Sequence, residues 1–390
     1  MMEKRCVALI SGGLDSTLAA KLMLEQGIEV QGLFLAMSWG CCEKEKAQAC
    51  ARELGIPLMV LSVGDAYLDV IRAPKYGYGS GMNPCIDCRI YMFRIAKRYL
   101  EETGAGFVVT GEVLGQRPMS QMRRPLDIIE AESDLEGLLL RPLCAQLLEP
   151  TLPELLGVVD RNRLLRLAGR SRHEQMALAK ASGIQEYATP AGGCLLTDER
   201  FAEKTRDLFA HEERPTTKDM ELLTIGRHFR VGPKTKVILG RNELENVLLE
   251  GHAQAGYTCL RPKFPGPSAL VAGEGTEAAE EIAVSLILRH TKEEKRPEGT
   301  LEFWRDGKGW TTERNRLIQF AGVPVGLLTG EPANRPTEMI LRAPFLTSRA
   351  CVASARRPAP RSDDDGVSAG SDTSRRSDAG DGRLPPQPTV

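Results

Sequence analysis

Short apolar runs alternate with longer mixed segments through the first half of the chain. Arg5 to Ile10, Glu29 to Ala36, Pro57 to Val63 and Phe107 to Thr110 read as strands, while Ser16 to Gln26, Glu43 to Leu54 and Ile90 to Glu102 read as helices. This order predicts an α/β domain built on a doubly wound parallel sheet. Ligands of such sheets sit outside the carboxyl ends of the strands. Ser11, Gly12 and Gly13 after the first strand, and Gly111 and Glu112 after the fourth, are therefore expected to face one crevice.

The pattern changes after about Ala210. "TKVILGRNELENVLLEGHA" and "SALVAGEGTEAAEEIAVSLILRH" predict short strands and helices of a second, smaller α+β domain, punctuated by "LRPKFPGPS". The expected division is 1–205, 206–310, an extension over 311–354 and a tail over 355–390. Almost without large apolar side chains, that tail is expected to be disordered. Arg161 to Lys180, "RNRLLRLAGRSRHEQMALAK", reads as strongly helical and basic, either a solvated face or an RNA-facing one.

With 390 residues, 42% of them hydrophobic, the chain can fill two cores. The 51 Lys and Arg against 52 Asp and Glu give a net charge of -1, so a polyanion would need a local basic patch. Only Cys6 to Ile10 forms an apolar run behind Lys4 and Arg5, far short of a secretory or membrane segment, and a cytoplasmic protein is expected. In that setting the ten cysteines are thiols, ligands or catalysts rather than disulfides.

"ISGGLDS" joins the first strand to the first helix and contains no lysine. Glycines there turn N–H groups inward, and the start of the helix adds its positive end, so the loop can cradle an anion. A P-loop lysine reaches the terminal phosphates; this loop offers hydroxyls, amides and the Asp15 carboxylate. Asp15 could hold Mg²⁺ on a pyrophosphate, which suits cleavage of ATP between its inner and second phosphates. A bare helix-starting turn is the plainer reading.

"GMNPCIDCRIYMFRIA" places Cys85 and Cys88 before a helix carrying Arg89, Arg94, Lys97 and Arg98, which favours thiolates. Cys194 follows Pro190, Gly192 and Gly193 in "TPAGGCLLTDERF", a turn expected to expose its thiol. Three ligands are one short of a closed zinc site and suit an iron–sulfur cluster with one open iron. A zinc knuckle completed by distant residues is the structural alternative. Cys6, Cys50, Cys144 and Cys259 read as buried small hydrophobes; Cys41 and Cys42 fit either role.

"SGGLDS" resembles the signature of the PP-loop ATP pyrophosphatases, which activate a carbonyl or an acid by adenylation. "TGEVLGQRPMSQ" (Thr110 to Gln121) and "LLLRPL" (Leu138 to Leu143) are similar to tRNA 4-thiouridine synthases. "MNPCIDCR" and "AGGCLLTD" resemble the cysteine loops of tRNA 2-thiouridylases and of cluster-dependent archaeal thiolases. This likeness covers residues 5 to about 205 and implies insertion of sulfur into a tRNA uridine with ATP and Mg²⁺.

Carried over, Ser11, Gly12, Gly13, Asp15 and Ser16 would bind the pyrophosphate and its magnesium. Gly111, Glu112, Gln116 and Ser120 would line the ATP or base side. Cys88 and Cys194 would handle sulfur, either as a persulfide and its resolving thiol or, with Cys85, as holders of a [4Fe-4S] cluster. The three cysteines favour the cluster. The implied partners are tRNA and a sulfur donor, a cysteine desulfurase or free sulfide.

The chain departs from the bacterial 4-thiouridine synthases in having no RNA-binding region ahead of Ser11 and no rhodanese-like cysteine loop, and in the insert Cys144 to Arg163. "VGPKTKVILGRNELENVLL" resembles, more weakly, the NFACT RNA-binding module. Gly240, Arg241 and Asn242 with Lys234 and Lys236 would there touch phosphates or form a solvated turn. An amide-forming PP-loop ligase, sulfur transfer to a small molecule, and a non-catalytic ATP- or RNA-binding regulator are the competing expectations.

Overall fold

The computed structural model of the chain describes residues 2–37, 39–40, 44–184, 187, 193–253, 257–313 and 326–327. Strands β1 (Arg5–Leu9), β2 (Glu29–Ala36), β3 (Leu58–Ser62), β4 (Phe107–Val109) and β5 (Leu139–Leu140) form a parallel sheet in the order β3-β2-β1-β4-β5. Successive side chains of a strand point to opposite faces, and β1 divides its residues accordingly. Cys6 and Ala8 join a core with helices α1 (Leu14–Glu25) and α2 (Lys44–Leu54). Val7 joins the opposite core with α3 (Ala66–Arg72), α4 (Cys85–Thr103) and α5 (Arg123–Glu132). Both faces of the sheet are thus covered, as the doubly wound expectation requires.

From β1 the chain runs outward through β2 and β3, then returns to β4 on the other side of β1. The strand order therefore reverses between β1 and β4, the place where such sheets open a ligand crevice. The glycine loop and the Gly111 loop leave those two strands side by side.

The basic stretch from Arg161 to Lys180 corrects the expectation of one strong helix. Beyond the short α6 (Leu152–Leu155), a single 3-10 turn covers Arg161–Arg163, and the α-helix, α7 (His173–Ala181), starts only at His173. Between them, Leu165 N–H and Leu167 N–H donate to Pro142 and Leu143 carbonyls, and Gly169 N–H donates to Leu114 C=O. These tertiary backbone bonds, with Leu164 and Leu167 buried in the core, outcompete local helix formation.

Helices α8 (Glu199–His211) and α9 (Thr217–Leu222) follow, and Phe201, Ala202, Leu208, Met220 and Leu223 complete the α4-side core. That core therefore extends beyond residue 205. The second sheet contains β6 (Arg227–Gly232), β7 (Thr235–Leu239), β8 (Thr258–Pro262), β9 (Ala269–Gly273), β10 (Thr300–Arg305), β11 (Lys308–Glu313) and β12 (Gly326–Leu327). Its order is β11-β10-β8-β9-β7-β6-β12, with antiparallel neighbours. Helix α10 (Glu243–His252) contributes Leu249 to the core on one side of this sheet, and α11 (Glu277–His290) packs on the other, giving the expected α+β unit.

Asp207 of α8 connects the two sheets, bonded by Arg230 of β6 (Nε to Oδ1, 3.1 Å) and by Lys236 of β7 (3.1 Å). Burial disfavours its charge, but these two cations outweigh burial and hold the carboxyl below its usual range. The tail over 355–390, and Cys41 and Cys42, lie outside the described residues. Among the described residues, no helix is long and apolar enough to cross a membrane.

Candidate active site

The glycine loop is shaped by two close backbone approaches. Gly12 has φ +74°, and a β-carbon there would lie 2.7 Å from Ala47 N in α2. Gly111 lies so close to the start of α1 that its β-carbon would stand 2.5 Å from Ser16 N and from Asp15 C. Only glycine fits either place, so the loops after β1 and β4 lie against each other.

Gly13 is the N-cap of α1 and provides no side-chain cap. The first N–H groups of a helix have no partner within it, and this turn leaves them for a ligand. Ser16 Oγ instead donates to Gly13 C=O (2.9 Å), accepts from Ser11 N–H (3.2 Å) and meets Ser11 Oγ at 3.1 Å. The serines brace the loop around the helix end, where the macrodipole favours an anion.

Asp15 projects from the first turn of α1 and is held by two distant residues. Gln116 Nε2 donates to Oδ2 at 2.8 Å, and Arg172 Nη2 lies 3.1 Å from the same oxygen. Arg172, just ahead of α7, was not singled out from sequence. It stands 157 residues from Asp15, and only the path of the chain after Gly169 brings them together. The loop without a lysine thus has a cation beside it after all.

Three buried polar atoms of this group lack a hydrogen-bond partner: Asp15 Oδ1, Gln116 Oε1 and Arg172 Nε; Ser120, expected on the same crevice, is fully buried with its Oγ also unpartnered. Unsatisfied buried groups are costly, and a cluster of them beside an open helix end fits a polar ligand. A carboxylate with a spare oxygen beside an open helix end also has the donor chemistry for Mg²⁺, which takes one or two carboxylates plus phosphate oxygens.

Glu112 is committed differently. Only 2% exposed, it receives Arg141 Nε on Oε2 (3.1 Å), while Arg141 Nη1 reaches Glu130 Oε2 (2.7 Å). Burial disfavours the charge on Arg141, but the two carboxylates outweigh it and hold its pKa above the usual value. The side chain of Glu112 therefore braces β4 against β5, and its neighbour Gly111 is what meets the glycine loop.

Cys85 opens α4, Cys88 follows one turn later, and Cys194 precedes the 3-10 turn Leu195–Thr197. All three are half-buried and outside any disulfide. They gather around Tyr67, which sequence reasoning missed because one aromatic residue in an amphipathic helix looks like core. Tyr67 is 1% exposed, stacked against Trp39 (6.1 Å) and tilted on Tyr91 (5.3 Å). Burial first, then the neighbouring Cys88, Cys194 and Cys85, push its phenol well above the ordinary range.

Among the described residues, no three His, Cys, Asp or Glu are placed to hold a metal ion. The three thiols share the Tyr67 neighbourhood, and a metal or cluster held by them stays an expectation of the sequence. Two of the cations expected to favour thiolates are engaged elsewhere, Arg94 with Glu132 and Lys97 with Glu101. Cys6, Cys50, Cys144 and Cys259 are buried as expected, and burial pushes Cys144 up to about 11 and Cys259 to about 12.

The turn Gly240-Arg241-Asn242 closes on itself. Asn242 Oδ1 caps α10 through Glu245 N–H (3.0 Å), and Arg241 bonds Glu245 (Nε to Oε1, 2.8 Å). Lys236 is 7% exposed and paired with Asp207, and Lys234 meets Glu274 at 3.2 Å. Those cations are paired with carboxylates within the domain, Lys234 and Glu274 at a largely exposed position.

A parallel sheet with its switch point at a lysine-free glycine loop, an acidic first helical turn and a borrowed arginine makes a crevice with the chemistry of an anion site. Residues 1–147 match the family described as thiamine biosynthesis protein (ThiI), and residues 226–317 match the NFACT protein RNA binding domain. The chain is 32% identical over 127 residues to the tRNA-specific 2-thiouridylase MnmA of Clostridium acetobutylicum (28% of this chain, 36% of that protein). It is 33% identical over 142 residues to a probable tRNA sulfurtransferase of Halobacterium salinarum (34% of each). A Nocardioides 2-thiouridylase MnmA aligns over 276 residues at 28% identity, covering 61% of this chain and 69% of that protein.

Among solved structures, a 4-thiouridine synthetase–RNA complex with bound ATP aligns with TM-score 0.34 and 24% identity, over 56% of this chain and 52% of that one. In sequence, the first domain is similar to the 2-thiouridylases and the probable tRNA sulfurtransferase named above. The alignments with the first three relatives span 36%, 42% and 34% of those proteins' length.

Proposed function

We propose that this chain transfers sulfur to a uridine of tRNA at the expense of ATP. The observation that carries the reading is the Asp15 cluster: an open helix end, a carboxylate with a spare buried oxygen, and Arg172 beside it. ATP would lie with its phosphates on the Ser11–Ser16 loop. There Asp15 would hold Mg²⁺, which neutralises pyrophosphate charge when bound. Arg172 would exchange its bond to Asp15 for the phosphates, supplying the positive charge that a P-loop takes from lysine.

The uracil carbonyl oxygen would attack the inner phosphate, releasing pyrophosphate and forming an AMP ester. Sulfur bound to one of Cys88 and Cys194 would then attack the activated carbon, and AMP would leave with the former carbonyl oxygen. The other cysteine would resolve the linkage as a disulfide, which an external dithiol reduces. The sulfur would come from a persulfide donor such as a cysteine desulfurase: the thiolate attacks the donor's outer sulfur, the donor's S–S bond breaks and the donor leaves as a thiolate.

The test is incubation of the full chain with ATP, tRNA and a persulfide donor, with nucleotide products separated and tRNA nucleosides weighed by mass spectrometry. Pyrophosphate, AMP and a thiouridine in equal amounts are expected. ATP binding without AMP formation on any tRNA would overturn the reading.

A further inference from the structure

The two cysteine turns meet at a single backbone joint. The turn over 79–83 closes on itself: Gly79 N–H donates to Asn83 C=O (2.9 Å) and Asn83 N–H to Ser80 C=O (3.2 Å). Met82 N–H instead crosses to Leu196 C=O at 2.9 Å. That oxygen lies over Gly81, which has φ +62°. A β-carbon at position 81 would stand 2.4 Å from it and 3.3 Å from the β-carbon of Ala202. Met82, Leu196 and Ala202 are all buried, so the joint sits inside the core and has little room to open.

Stiff links run from the joint to both thiol-bearing turns. On one side Asp87, between Cys85 and Cys88, accepts from Lys75 N–H (2.8 Å) and Tyr76 N–H (3.0 Å), hanging the first turn of α4 on the same loop. On the other side the N–H and hydroxyl of Thr197 donate to Cys194 C=O, at 2.8 and 2.6 Å. Moving Leu196 away from Gly81 therefore moves the Cys194 turn relative to Cys88.

We propose that Gly81 is a positioning residue for the sulfur-handling pair, fixing the spacing of Cys88 and Cys194 by admitting the Leu196 carbonyl against its own backbone. The proposal rests on the two-cysteine reading above. In the resolving step one thiolate attacks the Sγ of the other cysteine. The bond from that Sγ to the transferred sulfur breaks, its electron pair leaves on the thiouridine sulfur, and a Cys88–Cys194 disulfide remains. That exchange needs the two sulfur atoms held at a reproducible spacing.

The experiment reads the spacing without turnover. The reduced full chain is treated with diamide, which takes up the two electrons and two protons as the thiols join, and the Cys88–Cys194 disulfide is followed by peptide mapping. The wild type is expected to cross-link quickly and Gly81→Ala at least tenfold more slowly, with ATP binding retained. Gly77→Ala is the control: Gly77 has φ +73° but open space around its β-carbon position, so it carries the same backbone strain and should cross-link like the wild type.

Gly81→Ala cross-linking at the wild-type rate would overturn the joint and leave the two-cysteine reading standing. Absence of the disulfide in the wild type would overturn both. Should Gly81→Ala fail to fold, Thr197→Val decides: a several-fold slowing at unchanged melting temperature supports the joint, and an unchanged rate overturns it.

Discussion

Two strand-to-helix turns in this chain look alike on paper, each with a glycine before a helix. Ser11-Gly12-Gly13 leads from β1 into α1, and Gly240-Arg241-Asn242 leads from β7 into α10. In the second, Asn242 caps the helix, Arg241 bonds Glu245, and the Asn246 side chain occupies the space where a β-carbon of Gly240 would go, 2.1 Å away. In the first, the cap is a bare glycine, and Asp15, Gln116 and Arg172 each leave a buried polar atom unpaired. Glycine alone does not make an anion site. What separates the two turns is whether neighbouring side chains satisfy the end of the helix.

The comparison is sharpened most by Asp15→Ala. On the open turn, pyrophosphate release with tRNA should fall on the order of 100-fold, the scale of losing one preorganised electrostatic group, with melting unchanged. Unaltered turnover would show that the open turn is only a helix start.

The closed side should respond in stability rather than chemistry. His228 of β6 is fully buried, and burial first, then Lys204 and Lys236, hold its pKa well below the usual value. The unfolded chain therefore binds this proton first as pH falls. Stability should drop by up to about 1.4 kcal/mol per pH unit below ~6.5, a slope that His228→Gln should flatten in denaturant titrations at pH 7 and pH 5.

A smaller effect is expected from Asn242→Ala, about 1 kcal/mol of stability for a lost N-cap, with ATP affinity untouched; weakened ATP binding would break the contrast. Smallest of all, Arg241→Ala and Lys234→Ala should change tRNA affinity less than twofold in gel-shift titrations, because their carboxylate partners already hold them.

The first sheet was legible because its strands are apolar runs separated by helix-length segments, and the motif loops fall at their carboxyl ends. Gly12, Gly13 and Asp15 could be picked out for the same reason: local spacing carries their chemistry. Arg172 could be seen only as one of several arginines in the basic stretch Arg161 to Lys180, and only the path of residues 164–169 along the Pro142–Leu143 and Leu114 carbonyls brings it to Asp15. Tyr67 and Arg141 failed for a related reason. A buried aromatic residue and a buried ion pair are defined by tertiary neighbours. Glu112 shows the opposite error, a motif residue whose side chain turns inward to Arg141.

Helix α8 lends Phe201 and Leu208 to one core and, through Asp207, grips the first two strands of the other sheet. A shared element of this kind couples neighbouring cooperative units. Calorimetry should record one melting transition across both sheets rather than two. A chain ended at residue 205 would sever α8 mid-helix and drop Leu208, Met220 and Leu223 from its own core, so the first sheet should survive alone only when cut beyond Leu223.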